Sequence, residues 1–116
     1  MTTKKEATMN AIRNLINPFY LAHNIDSYKT CCKIVCSMID ELKRECTIVD
    51  EVLRVMCSEI ECAGDCADYE NASITYYWDK IKLLIPCVET VLSDTATWTD
   101  FEKANERAFE ILDMDN

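Results

Sequence analysis

Ten apolar residues follow one another at alternating steps of four and three: Tyr28, Cys32, Val35, Ile39, Leu42, Cys46, Val49, Leu53, Met56 and Ile60. That spacing lays one continuous apolar seam along an α-helix. It fits no β-strand, whose side chains alternate with a period of two. Little in the chain could interrupt such a helix, since 116 residues include one glycine and two prolines. The pattern predicts a helix from about Ser27 to about Ala63, roughly 55 Å long at 1.5 Å per residue. Gly64 stands where a left-handed C-cap would end it. A break near Cys46 is the competing solution. Lys43 and Arg44 suit a helix C-terminus, and Thr47 to Asp50 resembles a capping arrangement. The unbroken phase of the seam favours a continuous helix.

The same spacing returns at Ile74, Trp78, Ile81, Ile85, Val88 and Leu92, predicting a return helix over about 73–93 with Ser73 as N-cap. Pro86 lies inside it and should bend the axis, because proline removes a donor and its ring crowds the preceding turn. Thr99-Asp100-Phe101-Glu102 has the spacing of a capping box and opens a last helix over about 99–113, with Phe101, Ala104, Ala108 and Ile111 or Leu112 inward. Met9, Ile12, Ile16 and Phe19 mark a first helix from about Lys4, which Asn17-Pro18 kinks or stops. The expected fold is therefore a single all-α domain spanning residues 1–116, a bundle of four or five helices built on one long heptad-patterned helix. A chain of this length buries about two thirds of its unfolded surface, so its core needs no covalent staples.

The first twenty residues contain no uninterrupted apolar run, because Arg13, Asn14 and Asn17 break it. No secretion signal is read there, and no later stretch reaches the length needed to cross a bilayer. The expected location is the cytoplasm. In that compartment the eight cysteines are thiols and not a disulfide framework.

Zinc is a weak alternative. Cys62-x3-Cys66 has an acceptable spacing for one ligand pair, and Cys57 and Cys87 could complete four thiolates, but the second tight pair that makes zinc signatures specific is missing. Free cysteine is also among the most buried residue types, and Cys32 and Cys46 stand in the seam itself. Redox chemistry lacks a C-x-x-C, and acidic neighbours around Cys62 and Cys66 disfavour thiolates. His23 is the sole histidine, and no Gly-rich loop, H-E-x-x-H or G-x-S-x-G occurs. Neither an enzyme nor a cofactor is expected.

Charge is distributed unevenly. Residues 1–47 carry seven basic side chains against five acidic ones, whereas the remainder carries five against sixteen, within a net charge of −9. Glu59, Glu61, Asp65, Asp68 and Glu70 crowd one stretch, and no Lys or Arg occurs from Val55 to Asp79. Direct nucleic-acid binding there is disfavoured, because affinity for phosphates comes from basic side chains. Acids at a helix C-terminus also oppose the macrodipole, so these five residues are the candidate partner-binding set, matched to a protein partner with a basic surface. If that surface holds nucleic acid, the protein inhibits by mimicry. Self-association of the long seam as a homodimer is the structural alternative. The amphipathic last helix, with Trp98, Phe101, Ala108 and Leu112, either closes the bundle's own core or docks in a partner's groove.

Overall fold

The computed structural model describes residues 3–17, 25–45, 51–66 and 72–114. Their elements are five helices: α1 Lys4–Leu15, α2 Ile25–Glu45, α3 Glu51–Cys66, α4 Ala72–Leu92 and α5 Trp98–Leu112. The all-α bundle expected from the seam is what forms. Its apolar positions are inward: Tyr28, Cys32, Val35, Ile39, Leu42, Leu53, Met56 and Ile60 are all buried. Cys46 and Val49 lie outside the described residues.

The single helix over 27–63 does not form. The seam is divided between α2 and α3, which pack antiparallel: the Cys36 thiol donates to the Cys57 carbonyl at 3.7 Å, and Cys32 lies against Gly64. On one straight helix those pairs would stand about 31 and 48 Å apart. A heptad phase that survives the join cannot distinguish the two arrangements. Burial does, because folding the halves onto one another removes both stretches of seam from water within one chain.

Gly64 is likewise not a C-cap. It lies inside α3, buried against α2, and a Cβ there would come within 3.2 Å of Cys32 Cβ. The glycine is needed for close approach of two helices and not for a left-handed turn.

α3 packs against α2, α4 and α5. This central position explains why nine of its sixteen residues are buried, a much wider arc than one seam requires. The molecule measures 41 × 40 × 19 Å, about two helices deep, so the outer helices keep broad solvent faces.

α4 runs unbroken through Pro86, which is exposed; its neighbours Lys82 and Leu83 on the same face are exposed too, so the backbone freed by proline faces water. The N-cap of α5 stands two residues earlier than the sequence suggests. Thr97 is the N-cap, and its capping box is closed by Asp100, whose carboxylate accepts from the Thr97 amide at 2.9 Å. Two T-x-x-acid registers overlap here. The earlier one wins because it adds two residues to the helix while Asp100 already reaches the cap.

A buried relay fixes three helices together. The Trp78 indole N–H donates to Tyr28 Oη at 2.8 Å, and the Tyr28 hydroxyl donates to the Leu15 carbonyl at 2.9 Å. Leu15 is the last residue of α1, so the relay satisfies a carbonyl that the helix itself leaves unpaired. The two rings also meet edge to face with centroids 6.3 Å apart.

Candidate functional site

The C-terminal half of α3 carries the acidic and cysteine-rich stretch, and its helical turn sorts those residues into inward and outward sets. Glu59 points inward. It is 3% exposed and its carboxylate lies 3.9 Å from the ammonium of Lys80, itself buried in α4. Lys80 also donates to the Leu112 carbonyl at the end of α5 at 3.1 Å and lies 4.9 Å from the Tyr76 ring centroid. Glu59 is thus an internal tie among α3, α4 and α5, not a member of an exposed acidic face.

Glu61 and Asp65 point outward, one turn apart on the exposed side of α3. Asp68 and Glu70 lie outside the described residues. In sequence Glu61 and Asp65 have no nearby base, but in space they have two. They form one wall of a groove of about 400 Å³, and Lys29, Lys33 and Asp40 of α2 line the other, with Cys32, Cys36 and Gly64 between them. The site is therefore mixed in charge at its α2 edge and acidic at its α3 edge.

The thiols sort in a similar way. Burial pushes Cys32 up to about 12, and a hydrogen bond with Cys36, reinforced by burial, pushes Cys57 well above the usual thiol range. Cys62 is raised by burial and then by neighbouring Glu59, and Cys87 by burial. These four favour the neutral thiol, the form that neither attacks electrophiles nor binds zinc. The seven described cysteines are free.

Cys62 and Cys66 both lie in α3, one turn apart, and are not separated by a helix break at Gly64. Even so, among the described residues no three His, Cys, Asp or Glu side chains converge as a metal site would require. The set Cys57, Cys62, Cys66 and Cys87 is not brought together. Cys57 faces Cys36 of α2, and Cys87 lies within the field of Arg107 of α5. His23 is outside the described residues, and no described helix is long and apolar enough to cross a membrane.

Lys80 is the residue that sequence reasoning missed. It is the first base after a long acidic interval, set in the apolar run from Tyr76 to Ile85. Lys82 shares that run, and a lysine in such surroundings invites the question of which carboxylate it meets. The apolar residues one turn from Glu59 on α3, Val55, Met56 and Ala63, are the local sign that could have marked it as the inward acid.

Comparison with known proteins adds no assignment: no protein-family model, no curated protein and no solved structure matches this chain.

Proposed function

We propose that this protein acts by binding, seating the acidic edge of α3 against a basic surface of a protein partner. The observation that supports this most is a conflict with folding. Glu61 and Asp65 are like charges one turn apart, at the end of a helix whose last turn contains no base. Each feature disfavours the helix, the pair by about 0.2–0.5 kcal/mol and the macrodipole by about 0.3–1 kcal/mol. Lys29 and Lys33 across the groove offset part of this, and acids set against the preference of their own helix yet left exposed fit a role in recognition. A basic partner would gain long-range attraction and relieve that repulsion on docking. Where the partner's surface is one that holds nucleic acid, occupation by this acidic edge would exclude the nucleic acid.

The variant E61Q/D65N tests this, because binding should fall without a matching loss of stability. Denaturant unfolding should show its stability changed by no more than about 0.5 kcal/mol, because relief within α3 is set against the attraction lost to Lys29 and Lys33. Affinity purification from the native host should lose the partner that the unaltered protein recovers. Retention of that partner by the variant, or binding indifferent to salt, would count against the reading. Adding Asp68→Asn and Glu70→Gln in a second variant extends the test to the full acidic stretch.

A further inference from the structure

A second surface lies on α5. Its inward residues Ala104, Ala108 and Ile111 are buried against the core, with Phe101 and Leu112 half-buried beside them. Beyond that edge stand two large aromatic side chains, Trp98 at 64% exposure and Phe109 at 40%. They are eleven residues apart, which on an α-helix is three turns and about 20°, so they share one face about 16 Å apart along the axis.

The same geometry places the exposed acids Glu102, Asp113 and Glu106 next to these rings, within an arc of about 80° measured from Trp98. The bases of α5 lie elsewhere. Lys103 and Arg107 fall about 140° and 180° round from Trp98, and Arg107 is paired with Glu110 at 3.1 Å. The sector therefore combines two aromatic anchors with three carboxylates and no cation of its own helix.

We infer that this face of α5 docks a basic amphipathic helix from another protein. Apolar side chains of that helix would cover Trp98 and Phe109, and its Lys or Arg residues would meet Glu102, Glu106 and Asp113. Amphipathic helices are recognised through apolar anchors spaced by whole turns, and two anchors about 16 Å apart span about three turns of a partner helix. Charge complementarity selects the occupant. A second copy of this chain docked by the same face would bring the three carboxylates against themselves, and like charges across an interface are repelled. The basic partner is shared with the preceding proposal, but the surface is different and stands without it.

The test uses the full chain and a labelled 18-residue synthetic peptide with leucine at helical i, i+3, i+4, i+7 spacing and lysine elsewhere, followed by fluorescence anisotropy. Two controls carry the argument: the peptide with every lysine replaced by glutamate, and one of identical composition with the leucines scrambled off a common face. Binding of the patterned peptide alone is expected. The variant W98A/F109A should bind at least about tenfold more weakly, as loss of aromatic anchors does. E102Q/E106Q/D113N should weaken binding several-fold and flatten its salt dependence. These side chains are exposed, and far-UV circular dichroism checks that each variant keeps its helices.

Equal binding of the scrambled peptide would reduce the effect to bulk charge and overturn the inference. So would undiminished binding by W98A/F109A. E61Q/D65N should bind the peptide as the unaltered protein does. If it alone loses the peptide, the α3 edge is the docking site and the α5 face is not.

Discussion

Two buried polar clusters begin two residues apart on α4 and do the same topological work with opposite chemistry. From Trp78 a neutral relay runs through Tyr28 of α2 to the carbonyl of Leu15, which ends α1. From Lys80 a charged cluster runs to Glu59 of α3 and to the carbonyl of Leu112, which ends α5. Each ties three helices, and each finishes on a carbonyl that a helix terminus leaves without an internal partner. Residues two apart on a helix point about 200° from one another, so α4 reaches both sides of the bundle from a single turn. The difference lies in what each would leave behind if broken. The neutral relay strands dipoles, whereas the charged cluster strands an ion.

Lys80→Met should therefore have the largest effect, a loss of about 3–5 kcal/mol in denaturant unfolding, because it removes the cation from a buried carboxylate. The double variant E59L/K80M should recover most of that loss, since apolar side chains of similar volume often replace a buried ion pair without penalty. If the double variant is as unstable as the single one, the cluster's hydrogen bond to Leu112 matters more than its charge pairing.

Tyr28→Phe should cost less, about 1–3 kcal/mol, because it strands the Leu15 carbonyl and the Trp78 N–H but no charge. A cost equal to that of Lys80→Met would erase the distinction between the two clusters.

The most specific effect is on pH dependence. Burial raises Tyr28 above its ordinary 10.0 and Cys32, one turn further along α2, from 9.0 to about 12. Both are held neutral in the fold and ionise sooner in the unfolded chain, so the unfolded state gains as pH rises. Stability from this region should be complete below about pH 9 and decline from there toward pH 12. Unfolding curves collected between pH 8 and 11 should show that decline. Cys32→Ala should make it shallower while leaving the share of Tyr28, and a slope unchanged by Cys32→Ala would assign the alkaline loss to other groups.

What was legible in the sequence follows from what periodicity can encode. The seam of α2 and α3, the inward residues of α4 and the small inward face of α5 were readable because each depends on local spacing alone. The division of the seam was not, since helices joined in phase and helices folded back carry the same pattern between Tyr28 and Ile60. Gly64 shows a similar limit: a glycine near a helix end reads as a cap, and only the approach of Cys32 reveals its other use. Charge was read along the chain, and it acts through space. Glu59 belongs to Lys80, twenty-one residues away, and Glu61 and Asp65 share a groove with lysines some thirty residues earlier. The breadth of apolar residues on α3 was the available sign that one acid there must turn inward.

The position of the two clusters also governs where the helices loosen. Helix ends normally fray, and amides there exchange with solvent fastest. In α1 and α5, however, the C-terminal carbonyls of Leu15 and Leu112 are gripped from the core, whereas the N-terminal caps Thr3 and Thr97 are exposed. Amide hydrogen exchange should therefore run from one end. In both helices protection should persist longest in the final turn, giving the outer helices a fixed tail and a breathing head.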